Sequence, residues 1–295
     1  MSKRVTISNE SFDLELDPAI GGSVTRFHRK AAKAAPSQPI FRDAAANLAD
    51  AGGASAFPLV PFSNRIRGGR FSFRGREVTL TPNLKGDPSP LHGQGWRAAW
   101  AVADADDDCA ELRYSHDAGE WPWAYQAHQR FCLDNSGLDY AITVRNVSHD
   151  PMPAGLGLHP YFPSNARTVL STRVDSVWVV DKDVLPIGRE APAGRYDLRD
   201  RRIDGAGLDN GYGGWSGSAE MSWPDRDLRV RMSSPTARFF QVYAPESGGV
   251  FVAEPVTHAN TALNHPEAEW RSLGLHVLAP DEEMRLTVRF DVSAG

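Results

Sequence analysis

The 295-residue chain is 41% hydrophobic and carries a net charge of −5 at pH 7, which allows a sizeable core and leaves no cationic excess for a nucleic-acid surface. Nowhere do about 18 apolar residues run together, and Met1–Ile7 holds a basic pair without an apolar stretch, so a cytoplasmic protein with a small-molecule partner and no membrane contact is expected. Cys109 and Cys132 stand at no metal-like or redox-like spacing and read most simply as reduced thiols, with a disulfide between them left open as the alternative.

In chain order, the alanine-rich Asp43–Ala51 is a candidate short helix, followed by a turn signal at Gly52 and Gly53. Pro61–Ile66 and Leu91–Trp96 each combine hydrogen-bonding heads with an aromatic ring. After the turn residues Asp134–Gly137, period-2 alternation places Leu138, Tyr140, Ile142 and Val144 on one face of a half-buried strand. Ala154–Phe162 sets the titratable His159 inside a glycine-loosened apolar run; Pro160 favours extended backbone there, and the imidazole is expected at a strand end. Turn signals at Gly213–Gly214 and Ser247–Gly249 flank a second alternating strand at Leu228–Met232. In Gly249–Asn260 an apolar run terminates in Glu254 and is stopped by Pro255. Pro266–Trp270 offers a single helical turn, and Met284–Phe290 alternates again. No linker, charge block or repeat divides the chain, so the expectation is one all-β domain over residues 1–295, an antiparallel β-sandwich with few short helices and polar loops at one edge.

A carboxylate closing the run Val250–Ala253 is costly to bury without a purpose or a partner, which favours a functional Glu254. Taken alone, His92 reads more readily as a core or turn histidine and Trp96 as core than as ligand groups, and Arg65 as a turn cap or the partner of a surface carboxylate. His276 has apolar neighbours and no polar company and is assigned to the core, while His116, His128 and His149 look like ordinary strand or turn residues. Sugars are held by planar donors and acceptors together with aromatic faces, and Trp96, Trp121, Trp123 and Trp215 sit beside glycine or proline where loops or strand ends would offer such faces. No His-x-His or His-x-x-x-His pair lies near these segments, and neither a Gly-x-Ser-x-Gly elbow nor a phosphate-cradling glycine loop occurs. No metal, nucleotide or nicotinamide cofactor is therefore expected.

Taken together and in order, Phe62–Ile66, His92–Trp96, Gly157–Phe162 and Ala253–Asn260 resemble the aldose 1-epimerase (galactose mutarotase) family, over most of the chain. The resemblance implies a large antiparallel β-sandwich, the galactose mutarotase-like supersandwich, with a monosaccharide bound in an open cleft on one sheet and no cofactor. It implies His159 as general acid and Glu254 as general base. His92 would be a second donor near the ring oxygen, Asn64 and Arg65 would hold hydroxyls, and Asp209 in Leu208–Tyr212 resembles the family's sugar-binding aspartate. Trp96 is a further candidate for the substrate site.

Mutarotation suits these residue types. A base removes the proton of the C1 hydroxyl while an acid protonates the ring oxygen, C1–C2 rotates, and the reverse transfers close the other anomer. The implied pH profile lies between a Glu and a His titration and peaks near neutrality. Three other readings stand beside it. A glycoside hydrolase needs two facing carboxylates, for which Glu254 and Asp209 are the available pair. A non-catalytic sugar-binding protein would use the same cleft without turnover. A hexose-6-phosphate 1-epimerase would draw on Arg65, Arg67, Arg70 and Arg74, which read otherwise as a solvated strand-edge set.

Overall fold

The computed structural model describes residues 4–30 and 36–295. Two antiparallel sheets, of eleven and nine strands, dominate those residues, with two two-stranded ribbons beside them. The alternation at 138–146 forms the strand Gly137–Asn146, in which Leu138, Tyr140, Ile142 and Val144 are all buried. The same holds for Leu228–Ser233 and Glu283–Ser293 in the nine-stranded sheet. Their apolar faces meet the eleven-stranded sheet in a core where Phe162 of one sheet and Phe290 of the other both contact the edge of Phe41, at 5.3 and 5.2 Å between ring centres.

Five adjacent strands of the eleven-stranded sheet matter for function. Their order in space is Ala56–Leu59, Gly157–Pro163, Val250–Val256, Phe239–Ala244 and Leu208–Gly213. Val250–Val256 and Phe239–Ala244 are buried along nearly their whole length, because one face lies on the core and the other lies under loops. Such strands read as continuous apolar runs, not as alternation.

Here the structure corrects the expectation of strand ends. His159 is the third residue of Gly157–Pro163 and Glu254 the fifth of Val250–Val256, so both stand inside their strands. Pro160 and Pro255 each remove a ladder donor, but their fixed φ suits extended backbone and the chain runs on through them. Pairing of Gly157 with Val256 and of Tyr161 with Val252 sets His159 directly across from Glu254.

Other expectations change as well. Asp43–Ala51 forms no helix beyond a 3₁₀ turn at Ala51–Gly53, capped by the Asp50 side chain on the Gly52 N–H, whereas Glu267–Trp270 does make a single α-helical turn. His276 is exposed on the short ribbon strand His276–Leu278, where alternation turns it outward. Cys109 and Cys132 form a disulfide, the alternative to the simpler reading as thiols, because antiparallel pairing of Cys109–His116 with Tyr125–Asp134 puts them directly opposite at 4.2 Å between Cα atoms. Among the described residues no helix is long and apolar enough to cross a membrane.

Candidate active site

Loops from three parts of the chain close over the five strands and leave a cavity of about 260 Å³. All seven residues singled out from the sequence line it: Asn64, Arg65, His92, Trp96, His159, Asp209 and Glu254. Its floor is the pair set by strand register. His159 Nε2 faces Glu254 Oε1 at 3.5 Å, both side chains are nearly enclosed, and His159 Nδ1 and Glu254 Oε2 are buried with no protein partner among the described residues. The imidazole packs against two rings, stacked on Phe57 at 4.3 Å and tilted against Tyr161 at 4.7 Å.

Burial dominates the electrostatics of the floor. It raises the Glu254 carboxyl well above its ordinary range, with Asp209 adding to the rise and Arg65 opposing it. It lowers His159 to about 3, with the residue's own backbone opposing the fall and Arg42 adding to it. A separation of 3.5 Å is long for an N–H···O bond, and both shifts favour the neutral forms. We therefore read the two groups as a poised pair sharing one proton, not as a structural salt bridge.

The wall is differently built, because its polar groups are occupied by one another. The Asn64 N–H donates to His92 Nδ1 at 3.0 Å and the His92 N–H donates to the Asn64 carbonyl at 3.0 Å. This reciprocal tie fixes the His92 tautomer, since an accepting Nδ1 leaves the proton of the neutral ring on Nε2. Burial, then the neighbouring His159, hold His92 well below the ordinary imidazole value, so the ring offers one N–H and no charge. Both residues sit at φ +58, a left-handed backbone that costs about 1 kcal/mol outside glycine and that the paired hydrogen bonds help to hold.

Arg65 donates from Nε to Asp87 at 2.9 Å and from Nη1 to the Asn64 Oδ1 at 3.2 Å, while its backbone N–H donates to Asn260 Oδ1. Asp209 accepts from Gln241 Nε2 at 2.9 Å, and its carboxyl is raised by burial against the opposing pull of Arg65. Trp96 lines the cavity as a packed side chain, not as an open platform: it is 4% exposed, donates to the Leu91 carbonyl and lies behind Phe57. Trp121, Trp123 and Trp215 are likewise core residues and do not line the cavity, so the stacking surfaces expected of them are absent.

Several contributors were not singled out by sequence reasoning. Gln241 is a lone amide in the apolar strand Phe239–Ala244, the same kind of signal that marked Glu254, and register sets it opposite Glu254. His258 pegs two loops together, accepting the Ser63 N–H at 2.9 Å and donating to the Ala259 carbonyl at 2.8 Å. Only glycine fits at position 155 behind it, where a Cβ would come within 2.0 Å of the ring. Tyr161 and Tyr243 line the cavity as well. Among the described residues, the one cluster with metal-like spacing, Asp106, Asp108 and Cys109, lies outside this cavity and includes a disulfide-bonded sulfur.

The arrangement offers one acid/base pair on the floor and directed donors and acceptors on the wall. Comparison with known proteins gives the same direction. A family model described as aldose 1-epimerase matches residues 3–291. The uncharacterized protein YphB of Escherichia coli (strain K12) is 31% identical over 251 residues, which cover 80% of this chain and 84% of that protein. A crystal structure from Escherichia coli K12, provisionally described as an aldose 1-epimerase, aligns over 99% of both chains with a TM-score of 0.89 and 28% identity. A galactose mutarotase-like protein from Clostridium acetobutylicum shares the fold at 16% identity, with a TM-score of 0.85 over 99% of this chain and 95% of its own.

Proposed function

From the premise that the chain belongs to the aldose 1-epimerase family, we propose that it interconverts the α and β anomers of an unphosphorylated aldose. Glu254 takes the proton of the C1 hydroxyl and His159 gives one to the ring oxygen; after ring opening and rotation about C1–C2 the same two groups return the protons. The observation that carries this reading is the separation of 3.5 Å between His159 Nε2 and Glu254 Oε1. The two oxygens they must serve are bonded to one carbon, so acid and base have to stand side by side, whereas a glycosidase separates its two carboxylates by about 5–9.5 Å around a glycosidic bond. The pair is competent with one shared proton, as imidazolium and carboxylate. The rate accordingly falls when the pair gains a second proton and again when it loses its only one.

His92 Nε2–H, Arg65, Asn64 and Asp209 hold the hydroxyls, and Gln241 orients Asp209. The basic stretch after Asn64 supports an uncharged substrate. Of Arg65, Arg67, Arg70 and Arg74 only Arg65 lines the cavity, and Asp87 already neutralises it; Arg67 donates to the Pro186 carbonyl, and Arg74 lies 3.8 Å from Glu267. Polarimetry of freshly dissolved α-D-galactose and α-D-glucose, followed by their 6-phosphates, tests the reading. Acceleration of the free sugars is expected. Binding without acceleration of any aldose would make this a sugar-binding protein, and faster turnover of the 6-phosphates would overturn the choice of substrate.

A further inference from the structure

Arg42 is a half-buried cation with no carboxylate in ion-pair distance among the described residues, and its Nε is buried without a partner. Its Nη2 donates to the carbonyls of Ala54 at 2.6 Å and Gly52 at 3.2 Å, its backbone N–H donates to the Tyr161 carbonyl at 2.8 Å, and its guanidinium lies 3.7 Å above the Tyr161 ring centre. A charge in that setting is costly, and here an aromatic face and two carbonyl dipoles are all that offset the cost. Tyr161 is two residues from His159 along the strand, so the side chains share a face. Arg42 over Tyr161, and Tyr161 tilted against His159, thus form one contiguous contact chain; Phe57 stacks on another side of the imidazole, 6.3 Å from Tyr161 between ring centres, and leads on to Trp96 at 5.4 Å.

We propose that Arg42 is a positioning residue for the proton chemistry at His159, pressing Tyr161 against the imidazole and setting a fixed positive charge behind it. The proposal rests on the reading of His159 as proton donor. The groups facing the ring are few. Glu254 on the adjacent strand favours a charged imidazole; His92, 5.6 Å away between ring centres, adds no negative charge; Phe57 on the other flanking strand is apolar. Asp50, beyond Tyr161, already accepts the Gly52 N–H at 2.9 Å. Burial first and Arg42 second weaken the ring's hold on a proton. An imidazolium formed there is a strong acid toward a weakly basic ring oxygen, and between turnovers the proton rests on Glu254.

Arg42→Met keeps the stem and removes the charge, while Arg42→Lys keeps a charge. The midpoint of His159, followed by NMR in the whole protein with labelled histidine, and the acid limb of kcat/KM are both expected to move toward neutral by about half a pH unit or more in Arg42→Met and to stay in place in Arg42→Lys. Arg42→Gln removes the charge while keeping a donor for the Gly52 and Ala54 carbonyls, and is expected to move the same midpoint toward neutral, which keeps the test decisive should Arg42→Met fold poorly. An unmoved midpoint in Arg42→Met, an equal shift in Arg42→Lys, or no His159 titration before acid unfolding in any variant would overturn the proposal. Because the NMR titration needs no sugar, a shifted midpoint without turnover would sink the functional reading alone, and turnover with an unmoved midpoint would sink the role of Arg42 alone.

Discussion

Two clusters of ionisable groups in this molecule obey the same physics with opposite sign. On the outward face of the nine-stranded sheet, Arg289 of its central strand reaches Asp134, Asp139 and Asp291 at 2.8, 2.9 and 2.8 Å. The hydrogen bond from Arg289 depresses the Asp134 carboxyl far below its ordinary value, and although burial opposes it, Asp134 and Asp291 raise the guanidinium. On the cavity floor, burial without matching partners pushes Glu254 up and His159 down. A cluster satisfied in its charged state is ready to stabilise a fold and has nothing left to do. A cluster held away from its charged state keeps protons mobile, and that is the setting acid/base chemistry needs.

The contrast breaks most visibly at Glu254. Glu254→Gln is expected to cut the rate of mutarotation by about 10²–10⁴-fold, measured by polarimetry. It should cost no stability. A carboxyl raised in the folded state contributes stability that is present at low pH and lost as pH rises through the raised value, so the amide variant should equal or exceed wild type in urea denaturation at pH 8. A marked loss of stability at that pH would mean that the carboxylate is structurally paired after all. A smaller effect is expected on the wall. Arg65→Lys abolishes the fork that joins Asp87 and Asn64, and KM should rise about tenfold with kcat nearly unchanged; a fall in kcat alone would place Arg65 in the chemical step. The smallest effect belongs to the outward face of the nine-stranded sheet. Arg289→Met should leave turnover untouched and cost about 1 kcal/mol, less in high salt. That loss should be seen above the ordinary carboxylate range and fade as pH falls, because the depressed Asp134 contributes its stability only while ionised.

How much of this was legible in the sequence follows the same division. His159 and Glu254 stood out because a titratable group inside an apolar run is costly under any fold. Their position within strands did not, because proline reads as a terminator unless the neighbouring strands are known. Gln241, a lone amide in Phe239–Ala244, carries the same kind of signal more weakly, because a neutral side chain costs less to bury, and it was passed over although it faces the same cavity. The apolar company of His276 resembles that of His159, but one sits on a short ribbon and the other in the middle of eleven strands. The partnership of Cys109 with Cys132 and that of Arg42 with Tyr161 depend on register between distant segments, which alternation alone does not encode.

The residues around the cavity run from Gly52 to Glu254, and the floor itself joins strands 95 residues apart in the chain, as the numbers of His159 and Glu254 show. Loops of that length close late in folding, after local hairpins such as the one at Asp134–Gly137 have already formed. No contiguous half of the polypeptide contains the whole cavity lining, which runs from Gly52 to Glu254, and a chain released before Glu254 lacks half of the floor pair. Recovery of turnover after dilution from denaturant is thus a clock for the completion of the whole topology, running behind any optical probe that reports a single hairpin.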